Sequence, residues 1–208
     1  MKDLLYNYYG IAYNSLVKHD VTSVECGEIK FEIKDKEDQI VCKNGNGISV
    51  FSNPRKKKIT IIDFEDYINK WRGQAGQGKR CDFILYDDVD YVVLNELTTC
   101  QERFLDNHYR DGREVTGKRS HAICQIQESI NKLCHVPEID DYIKKKPNKV
   151  GLFSYKIKED ANVANEVNNT MAQFRSVNRI YENVSSSNVF TKGFVFEQRI
   201  YPEAFNFK

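Results

Sequence analysis

Long apolar runs are missing from this chain. No stretch approaches the roughly 18 apolar residues that a membrane-crossing helix needs. The opening Met1-Lys2-Asp3-Leu4-Leu5-Tyr6 carries no apolar block that would serve as a secretion signal. A cytoplasmic protein with no membrane partner is the expectation. An excess of one charge is missing too: 31 basic residues against 30 acidic ones leave a formal +1. No bulk polycation argument for nucleic acid exists, so any such surface must be local. The six cysteines, at 26, 42, 81, 100, 124 and 134, include no pair at the short spacing of zinc ribbons and fingers. Reduced, mostly buried thiols follow. His19, His108, His121 and His135 are equally scattered and make no ligand spacing. Internal repeats and low-complexity segments are absent.

What remains is 208 residues at 40% hydrophobic content, enough for one domain with a real core. Residues 1–18 carry Leu4, Leu5, Tyr8, Ile11, Ala12, Ser15 and Leu16 at helical intervals despite Gly10. From Ser23 the period becomes that of strands. Ile29, Phe31 and Ile33 alternate with charged residues, and 39–43 and 48–51 continue a β-rich opening portion, 1–58. A core portion, 59–157, starts with the strand Ile59-Thr60-Ile61-Ile62. Asp63 then caps a helix whose inward stripe is Phe64, Tyr67, Ile68 and Trp71. The segment 72–80 is a basic, Gly-rich loop without the phosphate-loop pattern. Residues 100–118 are polar, locally basic and unassigned. A helix from Ser120 ends at Pro137, a loop with the solvated run Lys144-Lys145-Lys146 leads to Asn148, and a strand covers 149–157. A final portion, 158–208, contains a long helix over 160–182, a turn at 185–188 and a strand in which Phe194, Phe196, Gln198 and Ile200 alternate.

The chemistry concentrates between Arg80 and Thr98. Two apolar strands flank an acidic turn centred near Asp88 and Val89, and Asp87, Asp88 and Asp90 are turn residues. An antiparallel register then brings Asp82 roughly opposite Asn95 or Glu96, so acids from two strands converge on one edge. Carboxylates inside apolar strands are expensive unless partnered. A metal site is one outline; two carboxylates at strand ends near solvent is the other.

Asp82 on one strand, Glu96-Leu97-Thr98 on the next, a helix with Gln125 and a strand at 149–157 together resemble the PD-(D/E)xK restriction-endonuclease-like superfamily. The resemblance spans roughly residues 60–157. It implies an α/β fold with a mixed central sheet flanked by helices and a core of order α-β-β-β-α-β. It implies a Mg²⁺- or Mn²⁺-dependent nuclease hydrolysing phosphodiesters of nucleic acid, DNA first, as an endonuclease or exonuclease. Asp82 and Glu96 would be metal ligands together with the Leu97 carbonyl, and Gln125 the polar helix residue beside them. Thr98 stands where the family has its lysine. Lys79, Arg80, Lys118 and Arg119 would contact phosphate, and family members often dimerise. Because Thr98 brings no positive charge, the alternative is a degenerate nuclease fold kept for binding nucleic acid or a protein partner, as in a defence or immunity system. A scaffold with no site is a third option, tied to Asp82 and Glu96 pointing to opposite faces.

Overall fold

The computed structural model describes residues 1–34, 40–42, 47–158 and 190–208. Its helices are α1 (Lys2–Leu4) and α2 (Gly10–Ala12), joined by a π turn over Leu5–Tyr9, then α3 (Phe64–Asn69), α4 (Lys118–Cys134) and α5 (Pro137–Lys144). The strands are β1 (Ser23–Cys26), β2 (Lys30–Ile33), β3 (Val41–Cys42), β4 (Ser49–Ser52), β5 (Ile59–Asp63) and β6 (Phe83–Tyr86). They continue with β7 (Tyr91–Cys100), β8 (His108–Arg110), β9 (Arg113–Val115), β10 (Asn148–Ile157), β11 (Val195–Ile200) and β12 (Ala204–Asn206).

A mixed six-stranded sheet runs in the order β1-β5-β6-β7-β10-β11. From β1 to β7 neighbours are antiparallel. β10 returns parallel to β7, and β11 is parallel to β10. The change of direction follows from α4 and α5, which carry the chain from the end of β7 back to the start of β10. Leu94, Val92 and Ile84 turn to the α4 side with Ala122, Ile126 and Ile130. Val93, Leu85 and Leu152 turn to the other face, where Phe31, Phe51, Phe205 and Phe207 of a second sheet, β12-β4-β2-β3, close over them. With both faces covered, β6 and the first half of β7 read as continuous apolar runs. Asn95 is buried at the junction of the sheets: its Nδ2 donates to the Leu152 carbonyl (3.1 Å) and the Ser154 Oγ (3.2 Å), and Ser154 meets Ser49 at 2.7 Å.

Several expectations are corrected. The β-rich opening portion is divided between two sheets: β1 joins the main sheet, while β2, β3 and β4 form the second sheet, in which β4 pairs with the C-terminal β12. The π turn moves the inward face on by one position, so Met1, Leu5 and Tyr9 are buried, Tyr8 is exposed, and Leu16 lies beyond the helix at 97% exposure. Pro137 starts α5 instead of opening a loop. Its fixed φ suits the first helical position, and Ile139 and Ile143 bury one face. Lys146 is not solvated: it is 3% exposed and donates to the Asp87 carbonyl at 2.8 Å. Residues 100–118 resolve into a 3₁₀ turn and the β8–β9 hairpin.

Other expectations hold. Asp63 caps α3 by accepting the Asp66 amide at 2.8 Å, and Phe64, Tyr67, Ile68 and Trp71 are buried. Cys26, Cys81 and Cys100 are buried; Cys124 is exposed and Cys134 half-buried. Phe194, Phe196 and Ile200 are buried in and beside β11. The expected helix over 160–182 and turn at 185–188 lie outside the described residues. No helix among the described residues is long and apolar enough to cross a membrane.

Candidate acidic and cationic site

The turn between β6 and β7 sets the register of everything that follows. The Asp87 carboxylate accepts the amides of Val89 (3.2 Å), Asp90 (2.5 Å) and Tyr91 (2.7 Å), which fixes a turn centred on Val89. Phe83 consequently lies beside Asn95, and one step further Asp82 stands beside Glu96. Asp82 is then gripped from two elements, α3 and β7. Its carbonyl accepts the first-turn amides of α3 from Phe64 (2.9 Å) and Glu65 (3.1 Å). Its Oδ2 accepts the Leu97 amide at 2.8 Å, and its own amide donates to the Glu96 carboxyl. The N–H and C=O of a strand residue leave toward the same neighbour, so the Leu97 carbonyl faces the Asp82 side as well.

α4 is fastened to the same point. The Gln125 Nε2 donates to the Arg80 carbonyl at 3.0 Å, and the side chain also hydrogen-bonds the Glu96 carboxyl. One turn on, the Ser129 hydroxyl accepts the Cys81 amide and donates to the Gln125 carbonyl, both at 2.7 Å. Close approach of this helix to the sheet depends on Gly151 of β10, where a Cβ would sit 2.7 Å from the Ile126 Cγ2.

Glu96 carries the energetic signature of the site. It is 8% exposed, and its Oε2 has no hydrogen-bond partner among the described residues. Burial, then the charge of Asp82, raise its carboxyl well above the ordinary value of 4.5, with a further push from Glu65. Two acids held together away from water are relieved either by a shared proton or by a cation. Among the described residues no three His, Cys, Asp or Glu side chains gather as a ligand cluster. The pair with a backbone carbonyl still fits a hard ion such as Mg²⁺, which binds through one or two carboxylates and keeps waters for the rest.

Thr98 shares a face with Glu96, lies beside Tyr155 of β10, and is half-buried. The four expected phosphate contacts divide into two kinds. The Arg119 Nη1 is paired with Asp106 Oδ1 at 2.6 Å, and the Arg80 guanidinium is held by the Gly78 carbonyl (3.2 Å) and Asn69. Lys79 and Lys118 are exposed and flank His121, whose Nδ1 is 3.5 Å from the Lys79 Nζ. Burial, then Lys79 and Lys118, hold this imidazole below its ordinary value of 6.5. Sequence reasoning missed His121, Glu65 and Ser129. The one usable signal was that Glu65 is in the first turn of a helix capped next to β6.

Comparison of the chain with protein-family models, with curated proteins and with solved structures finds no match.

Proposed function

We propose that this protein is a divalent-metal-dependent phosphodiesterase acting on nucleic acid, DNA first, on a restriction-endonuclease-like core made of β5, β6, β7, α4 and β10. The antiparallel run of three strands followed by a helix and a parallel strand supports that reading of the fold. The observation that carries the activity is the meeting of Asp82 with Glu96, whose buried Oε2 lacks a partner. Asp82, Glu96 and the Leu97 carbonyl would hold Mg²⁺ or Mn²⁺. Once bound, such an ion acidifies a water and neutralises charge on the phosphate under attack.

The chain's own residues do the rest. Asp82 is fixed by the Leu97 amide and the α3 amides, so its carboxylate presents one geometry. Gln125 orients the Glu96 carboxyl from the helix side. The Thr98 hydroxyl can hydrogen-bond the attacking water but contributes no charge. Lys79 and Lys118 supply cations for phosphate on the surface beside the pair, and His121, held neutral, can accept a proton there.

Thr98 favours a second reading, a nuclease-like fold that binds nucleic acid or a protein partner without cutting. Calorimetric titration of Mn²⁺ and Mg²⁺ into wild type and an Asp82→Ala/Glu96→Ala variant, with plasmid nicking on the same preparations, separates the two. Binding and nicking that both vanish in the variant support the phosphodiesterase. Cation binding without nicking, on single- or double-stranded substrates, moves the assignment to the binding module, and the absence of both removes the metal site.

A further inference from the structure

Beyond the end of β7, the strand that carries Glu96, the chain builds a small projection with no core of its own. The 3₁₀ turn Glu102–Phe104 leads into β8 and β9, which close through Asp111 and Gly112, both at positive φ (53° and 74°), as a tight hairpin requires. Its base is anchored: Arg119 pairs with Asp106, the Arg119 amide donates to the buried Leu105 at 3.0 Å, and the Gly117 amide donates to Asn107 Oδ1 at 2.9 Å. A Cβ at Gly117 would lie 2.2 Å from the Asp106 carbonyl carbon, so the hairpin is pressed against the start of α4. The upper part is open.

Between turn and hairpin lies a recess of about 370 Å³ lined by Arg103, Phe104, His108, Tyr109 and Arg110. Its walls are flat groups. The Arg103 guanidinium lies over the Phe104 ring, 4.7 Å from its centre, and the Phe104 and His108 rings are 5.2 Å apart. Tyr109 is 78% exposed, and among the described residues no other ring packs on it. An aromatic of that size left in water on a two-stranded hairpin contributes nothing to the core and costs solubility. The lining holds two guanidinium groups and no carboxylate. Arg110 faces Asp111 at 3.8 Å with both side chains exposed, a separation that restrains neither firmly.

We propose that this recess binds single-stranded nucleic acid, with a base stacked on Phe104 or Tyr109 and the adjoining phosphates on Arg103 and Arg110. Flat rings accept any base by its π-face, and guanidinium groups follow the backbone. Duplex bases are already stacked on one another and cannot enter. The inference rests on the nucleic-acid reading of the Asp82–Glu96 site and narrows its substrate to strands with unpaired segments.

The test is fluorescence anisotropy of fluorescein-labelled oligothymidylate and oligouridylate titrated with the full-length protein in EDTA, so that no metal chemistry contributes. Wild type is expected to bind both single strands more tightly than a blunt duplex of equal length. Tyr109→Ala and Phe104→Ala should each weaken binding by about fivefold or more, Tyr109→Phe should retain it, and Arg103→Ala/Arg110→Ala should flatten its salt dependence. Tyr109 supports nothing in the fold, so its variant stays decisive if Phe104→Ala does not fold. No binding by wild type, equal affinity for the duplex, or unchanged affinity in Tyr109→Ala overturns the proposal. Stacking without nicking leaves this inference standing while the phosphodiesterase fails, and nicking by a wild type that ignores Tyr109 does the reverse.

Discussion

A carboxylate that is 8% exposed, beside a second carboxylate and short of one hydrogen-bond partner, is a cost the metal-free fold has to carry. Replacing Glu96 by Gln keeps the shape and the acceptor for the Asp82 amide while removing the charge. In EDTA near neutral pH, Glu96→Gln should therefore be more stable than wild type by at least about 1.4 kcal/mol, the equivalent of one pKa unit. The gain in melting temperature that Mn²⁺ confers on wild type should disappear in the variant. Calorimetric melts with and without the cation check both halves; a less stable variant, or one that still responds to Mn²⁺, would sink the assignment of Glu96 as a ligand. The pairing of Asp82 with Glu96 was legible in the sequence because a tight acidic turn and a period of two dictate register. Ser129 was not legible, because it reaches the Cys81 amide from α4, whose packing on the sheet no local pattern reveals.

α4 is tied to the residues leading into β6 by the Cys81 amide donating to the Ser129 hydroxyl and the Gln125 Nε2 donating to the Arg80 carbonyl. In Ser129→Ala the fully buried Cys81 amide loses its acceptor, at a cost of about 1–3 kcal/mol. Ser120, on the same helix, bonds Asn107 in an exposed setting, and Ser120→Ala should change stability by no more than about 0.5 kcal/mol. Urea unfolding of the two variants compares them directly, and equal losses would show that the Ser129 bridge does not hold the helix. Because Gln125 stands one turn from Ser129 and touches Glu96, the Ser129 variant should also bind Mn²⁺ more weakly. At this scale the sequence was readable wherever one periodicity ruled, as in the stripe Phe64, Tyr67, Ile68 and Trp71 or the cap at Asp63. It misled where a local rule has two outcomes: Pro137 can end a helix or begin one, and which occurs depends on whether Ile139 and Ile143 find a surface to bury against. The π turn over Leu5–Tyr9 similarly leaves no trace in spacing, since inserting it costs one residue of phase that only the packing of Tyr9 on Tyr67 and Trp71 selects.

For the molecule as a whole, the two carboxylates at opposite ends of the β6–β7 hairpin pull stability in opposite directions with pH. Burial works against the ionised Asp87, but the amides of Tyr91 and Asp90, together with Lys57 at 3.4 Å, outweigh it and hold the group below its ordinary 3.8. Its contribution is present above 3.8 and is lost as the pH falls through the depressed folded value. Glu96 is the reverse case: the folded protein binds that proton more tightly than the unfolded chain. Its contribution is present below 4.5 and is lost as the pH rises through the elevated folded value, at a slope approaching about 1.4 kcal/mol per pH unit while only the unfolded chain is ionised. Metal-free protein should consequently be most stable in mildly acidic buffer and weaken toward alkaline pH. Glu96→Gln should abolish the alkaline weakening and leave the acid limb untouched, since Asp87 is unchanged. Saturating Mn²⁺ should oppose the alkaline weakening in wild type alone, because the cation takes the place of the proton between Asp82 and Glu96. Urea midpoints collected across the pH range for wild type and Glu96→Gln, each with EDTA or Mn²⁺, decide it. A wild type whose stability rises steadily into alkaline buffer in EDTA would mean that the Glu96 carboxyl already has a partner in the folded protein, and the argument for a cation at this pair would fall with it.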